Sequence, residues 1–153
     1  MSTYTAMIRW SRNGAEGFVN GQYSRAHEWA FDGGAVVPAS ASPHIVPAPW
    51  SDERGVDPEE AFVAALSSCH MLFFLDFARR AGWLIDSYID EAQGVLGHDA
   101  EGRQAMVSVT LRPQVTWSGG KQPSEDEIAD LHHRAHEACF IANSVTTDVT
   151  VQH

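Results

Sequence analysis

The stretch from Asp57 to Gly82 constrains the fold more than any other part of the chain. Asp57 suits an N-cap, Pro58 suits the first helical position, and Glu60 stands at the capping-box spacing. Arg79 and Arg80 suit the negative end of the helix dipole, and Gly82 suits the first position past the helix. The spacing predicts one long helix running to about Arg80. Its middle is apolar on nearly every side, with Phe62, Val63, Leu66, Met71, Leu72, Phe73, Phe74 and Leu75. A helix hydrophobic all round belongs in a core. In a chain of 153 residues it needs a sheet, a second helix and a further subunit to cover it.

Strand and turn signals surround this helix. Tyr4, Ala6, Ile8 and Trp10 alternate with Thr5, Met7 and Arg9, which is the period of a half-buried strand. Asn13-Gly14 reads as a hairpin turn, a second strand is expected near Phe18, and His27, Trp29 and Phe31 alternate in a third. Ala35 to Val56 is rich in proline and reads as a connection of about 20 residues, a length that is commonly functional. Ile85 to Val95 and Ala105 to Trp117 each read as a strand, with a turn from Gly97 to Gly102 between them. Ser124-Glu125-Asp126-Glu127 opens a second helix with another capping box. Its apolar stripe is Ile128, Leu131, Ala135 and Ala138, and Cys139 lies at its end. Val145 to Val151 supplies a last strand. Strands, helix, strands, helix, strand is an α+β order in a single domain spanning 1–153.

Composition narrows the function. Twenty acidic residues against 10 basic give a net charge of −10. That balance argues against a nucleic-acid partner, which wants clustered Lys and Arg, and against docking on an anionic membrane. No run approaches ~18 continuous apolar residues. The first ten residues lack a basic flank followed by an apolar run, so the expectation is a cytoplasmic protein without a signal peptide. Two cysteines, Cys69 and Cys139, are too few for a secreted disulfide framework and too far apart for a zinc ribbon. They are either unrelated buried thiols or a redox pair.

Cys69 sits in Ser67-Ser68-Cys69-His70, the polar break in the long helix. A thiol in an apolar helix has its pKa raised, so a reactive Cys69 demands a cation from elsewhere in the fold. Cys139 lies where a helix ends, and such a position offers the mobility a resolving thiol needs. Glu59 stands ten residues before Cys69, ~15 Å along one helix axis. If the two cooperate, Glu59 must reach the Cys69 of a symmetry mate. His132, His133 and His136 form HHxxH, and His132 with His136 has the spacing of a metal pair. Without the Glu of HExxH or a third ligand, they read as solvated histidines, and no metal or cofactor is expected. Gly33-Gly34 and Gly119-Gly120 match no phosphate-binding loop, and Ser67 and Ser68 no nucleophile elbow.

Asp57-Pro-Glu-Glu-Ala-Phe-Val-Ala-Ala-Leu-Ser-Ser-Cys69-His, with His136-Glu-Ala-Cys139-Phe-Ile-Ala-Asn-Ser144, resembles the OsmC/Ohr family of osmotically induced and organic-hydroperoxide-resistance proteins. The resemblance implies the OsmC-like fold: antiparallel sheets, a long central helix and a second helix, in an intertwined homodimer. It also implies a cysteine-based peroxidase acting on organic hydroperoxides. Cys69 would be the peroxidatic thiolate, Cys139 the resolving thiol, and Glu59 the acid that holds the catalytic arginine. An external dithiol, in the family often a lipoylated protein, would reduce the resulting disulfide. OsmC-type members carry their arginine about eleven residues before the Glu, and here that position is Ala48. Ohr-type members carry it in the first hairpin turn, where Arg12 is the nearest match; Arg25 and Arg54 follow. His44 and Trp50 are expected to line the substrate pocket, given the length of their loop. The alternative is a weakly active or non-catalytic stress protein that binds a hydrophobic ligand in the interfacial pocket.

Overall fold

A computed structural model describes residues 1–14 and 17–153, and its chain forms two compact units, Met1–Ala61 and Phe62–His153. In the first unit, β1 (Ala6–Arg9), β2 (His27–Phe31) and β3 (Val36–Ala39) pair antiparallel in that order. The register sets Ile8 opposite Trp29, and Trp29 opposite Val37. A 3₁₀ turn at Phe18–Asn20 stands where a strand was expected. Phe18 packs there on Tyr23 and Trp10, with ring centroids 4.6 and 5.8 Å away. β3 also shortens the expected proline-rich connection.

What remains of that connection is tied down rather than loose. Ser40 N–H donates to Val56 O, Val56 N–H to Pro38 O, and Arg25 N–H to Trp50 O. Ser40 Oγ accepts from Asp52 N–H at 2.9 Å. Gly55 passes so close to β3 that a Cβ there would sit 2.9 Å from the Ala39 carbonyl carbon.

The long helix α1 covers Pro58–Arg80, as its caps predict. Glu60 N–H donates to Asp57 Oδ1 at 2.8 Å, and Asp57 N–H to Glu60 Oε2 at 3.2 Å. Gly82 takes φ 83° at the other end, a conformation that suits glycine. By length and composition alone α1 could cross a membrane, with mean hydropathy 1.7. Its buried residues are Leu66, His70, Phe74 and Ala78, one stripe at every fourth position. The opposite side is open, and Leu72 is 61% exposed.

The second unit covers that stripe. β4 (Leu84–Asp90) pairs with β7 (Pro113–Ser118), and β6 (Gln104–Leu111) lies between β5 (Gln93–His98) and β8 (Asp148–Val151). Each long stretch read as one strand is two strands in different sheets. Pro113, which has no N–H to donate, stands at the second break. The expectation of antiparallel sheets holds except at β6 and β8, which run parallel. Helix α2 (Glu125–Ala138) begins at Ser124 with both capping-box hydrogen bonds formed. Phe74 and Ala78 pack on Leu131 and Ala135 of α2 and on Tyr88 and Trp117 of the β4–β7 sheet. Leu66 packs on Val109 and Leu111 of β6, with Val149 and Val151 of β8 beside them.

The α1 cap yields a direct check. Asp57 is 6% exposed and holds the first turn, so Asp57→Ala should lower unfolding free energy by about 1 kcal/mol. Urea melts should show a lower midpoint with an unchanged slope.

Candidate functional site

The second unit brings the two cysteines together across 70 residues of sequence. Cys69 is half-buried on α1, and Cys139 is the C-cap of α2, 1% exposed. Burial pushes the Cys139 thiol up to about 11, and the neighbouring Cys69 thiol adds to the effect. Ala142 N–H donates to Cys139 Sγ at 3.4 Å and pulls the other way. The expected mobility at Cys139 is not what the fold supplies. Its carbonyl accepts from Asn143 N–H, Asn143 Nδ2 donates to Glu137 O at 2.9 Å, and Ser144 Oγ donates to Phe140 O at 2.7 Å.

Cys69 opens into a cavity of about 470 Å³ lined by Ala65, Ser68, Leu72, Phe73, Asp76, Phe140 and Ile141. Phe73 and Phe140 meet edge to face at 5.0 Å. The lining is apolar apart from Ser68, the thiol and Asp76, and it includes no basic side chain. Asp76 is itself paired with Arg79 at 2.6 Å and Arg80 at 2.8 Å.

The candidate arginines lie in the first unit and differ sharply. Arg12 is exposed. Arg54 is exposed too, and Asp52 holds it at 3.0 Å. Arg25 is half-buried: it donates to Gly21 O at 2.7 Å and Tyr23 O at 2.6 Å, with its guanidinium 3.7 Å over the Tyr23 ring. It lines an apolar cavity of about 490 Å³ with Ile8, Trp10, Phe18, Tyr23, His27, Ser40, Ala41 and Pro58. Glu59 follows Pro58 directly and is half-buried. His44 is exposed, and neither it nor Trp50 lines either cavity.

The histidine reading needs correction at one residue. His133 is solvated and meets Glu137 at 3.3 Å, but His132 is only 2% exposed. Its Nδ1 lies 3.0 Å from Nε2 of His70, itself 1% exposed. Among the described residues no three His, Cys, Asp or Glu side chains form a metal cluster.

The family model described as OsmC-like protein matches residues 51–153. The chain belongs to the OsmC-like protein family. A solved OsmC-like protein of unknown function from Vibrio cholerae is 53% identical, each chain covered over 99%, with a TM-score of 0.98. The organic hydroperoxide resistance protein OhrB of Bacillus subtilis has 22% identity, 97% coverage of both chains and a TM-score of 0.67. An organic hydroperoxide resistance protein from Elizabethkingia anophelis has 18% identity, coverage of 99% of this chain and 98% of the other, and a TM-score of 0.68. The last two share the fold. No curated protein sequence matches.

The different surroundings of the two thiols set an expected order of reaction. Iodoacetamide near neutral pH should alkylate Cys69 at least about tenfold faster than Cys139, because the thiolate is the nucleophile and Cys139 keeps its proton. Peptide mass spectrometry over time reads both rates.

Proposed function

We propose that this OsmC-like protein is a thiol peroxidase that reduces organic hydroperoxides. The observation that carries this reading is the nearness of Cys139 to Cys69, whose thiol opens into an apolar cavity. The Cys69 thiolate attacks the terminal oxygen of the hydroperoxide, the O–O bond breaks, and the leaving alkoxide takes a proton and departs as an alcohol. Cys69 is then a sulfenic acid. The Cys139 sulfur attacks the Cys69 sulfur, giving up its proton as water leaves, and a disulfide forms. An external dithiol restores both thiols by exchange. The roles do not interchange: Cys69 faces the cavity, whereas Cys139 is shut away with its proton held.

A thiolate in an apolar cavity needs a positive charge, and the lining offers none. Of Arg12, Arg25 and Arg54, we favour Arg25, which the Gly21 and Tyr23 carbonyls already orient, contributed together with Glu59 at a homodimer interface. The open side of α1, where Leu72 and Phe140 are 61% and 69% exposed, fits a second copy of the chain. Homology to a protein of unknown function leaves one rival, a module that binds an apolar ligand at Cys69 without turnover. The absence of a base from that cavity favours it.

With tert-butyl hydroperoxide and a dithiol, Cys69→Ser should lose turnover by about 10²-fold or more, in line with removal of an activated nucleophile. Equal, slow peroxide consumption by wild type and Cys69→Ser would leave the binding module. In the same assay, Arg25→Gln should cost more of kcat/KM than Arg12→Gln or Arg54→Gln. Leu72→Glu should shift the sedimentation of the protein from dimer to monomer at micromolar concentration.

A further inference from the structure

The hydroperoxide reading makes no use of the two buried histidines. His70 follows Cys69 on α1. His132 lies two turns before Cys139, ~7 residues, and so projects from nearly the same side of α2. Their rings are close to parallel, 8° apart with centroids at 5.3 Å, and Nε2 of His70 lies 3.0 Å from Nδ1 of His132. His132 also stacks on Phe74 of α1 at 4.1 Å. The outer nitrogens, His70 Nδ1 and His132 Nε2, are buried without a partner.

We propose that His70 and His132 are positioning residues for the Cys69–Cys139 exchange: the hydrogen bond of the neutral pair holds the helix of Cys69 against the helix that ends at Cys139. This rests on the thiol-pair part of the function proposed above, and not on peroxide turnover.

The pair has one way to bond. A neutral imidazole presents one N–H and one lone pair, so one ring donates and the other accepts. The first proton added to the pair leaves the facing bond in place and puts an N–H on both outer nitrogens, which have nothing to donate to. Protons on both rings turn both facing nitrogens into donors and break the bond. The groups acting on the pair are His136 of α2, Asp90 of β4 and His153 at the chain end. Asp90 favours a charged His70, whereas His136 and His153 oppose it, and His153 opposes a charged His132. Burial outweighs all of them, taking His70 down to about 4 and His132 to about 3.

The sign follows. Helices that have separated take up protons from the ordinary value of 6.5 downward, while the closed pair resists to about 4. The clamp is therefore at full strength above that ordinary value. It weakens as pH falls from there towards 4.

A dipyridyl disulfide tests this without peroxide. Cys69 attacks the reagent to give a mixed disulfide and one thiopyridone. Cys139 then displaces the second thiopyridone and closes the Cys69–Cys139 bond. If the sulfurs are apart, each cysteine keeps a pyridyl adduct. Mass spectrometry of acid-quenched samples gives the ratio of closed to doubly labelled chain. Wild type should close almost fully near pH 7.5. Between about pH 6.5 and 4.5 its ratio should fall about tenfold further than that of His70→Leu/His132→Phe, whose apolar pair packs without titrating. His70→Gln/His132→Gln, a second variant with neither ring left to titrate, should track the first.

Superimposable profiles for wild type and both variants would overturn the proposal. So would a loss of far-UV helix signal in step with the loss of closure, which would mean global acid unfolding. Failure to close at any pH would overturn it along with the thiol pair. Inertness toward hydroperoxides with normal closure would overturn the peroxidase reading alone.

Discussion

Burial of one stripe of α1 organises the second unit. Leu66, His70, Phe74 and Ala78 follow one another at four-residue intervals and are 0–1% exposed. Full burial of a large apolar side chain contributes about 1.5–3 kcal/mol, so Leu66 and Phe74 fix how α1 is rotated about its axis. That rotation decides where everything else on the helix points. Cys69 stands ~100° around from His70, which puts it on the flank of the stripe rather than beneath it. Ala65, Leu72 and Asp76 share that flank and line the cavity with it. The thiol is placed at the cavity by the packing of Leu66 and Phe74, which do not line it.

His70 is the one polar member of the stripe, and a buried polar group without a partner costs about 1–3 kcal/mol. Rotation of α1 to relieve it would expose Leu66 or Phe74, so the partner has to come to it. α2 supplies His132, and the choice brings the C-cap of α2, Cys139, up to Cys69. The hydrogen bond between the rings and the nearness of the two thiols are thus two consequences of a single helix packing. They differ in what they tolerate: the ring pair weakens as protons are added and breaks when both rings are charged, whereas the Cys139 thiol stays protonated far above neutral pH.

Much of this was legible in the sequence, and the part that was not has a physical pattern. Both helices start at the predicted residues because capping is local chemistry, read from Asp57-Pro58 and Ser124 within four positions. Strand breaks were harder. Ile85 to Val95 looks continuous, but β4 ends where the Asp90 carboxylate accepts from Ser67 Oγ on α1 and from Arg112 N–H at 2.6 Å. Those partners come from distant parts of the chain. Phe18 has strand propensity and sits instead in a 3₁₀ turn, because its ring is held by Trp10 and Tyr23. His132 was placed among solvated histidines by its neighbours His133 and His136. A signal was available at its partner: His70 falls on the four-residue register of Leu66, Phe74 and Ala78, so its ring was bound to need one.

Charge pairing separates the arginines of the chain, and with them the cations open to the thiol peroxidase proposed above. Arg9, Arg54, Arg79, Arg80, Arg103 and Arg134 each meet a carboxylate within 2.6 to 3.6 Å. In a chain with twice as many acids as bases, that is the default outcome, and it cancels most of the field each arginine projects. Arg25 is different in kind. Its donors go to the carbonyls of Gly21 and Tyr23, and its face lies on an aromatic ring. Those partners fix the guanidinium in place and leave its net charge intact, beside a cavity whose apolar walls screen it poorly. A thiolate or a developing alkoxide is stabilised by an uncancelled charge that is already oriented. Arg54 is neutralised by Asp52, and Arg12, exposed to solvent, has its field screened within about 8–10 Å at ordinary ionic strength. The family resemblance ranks Arg12 first, by its match to the arginine of the first hairpin turn. Electrostatics ranks Arg25 first.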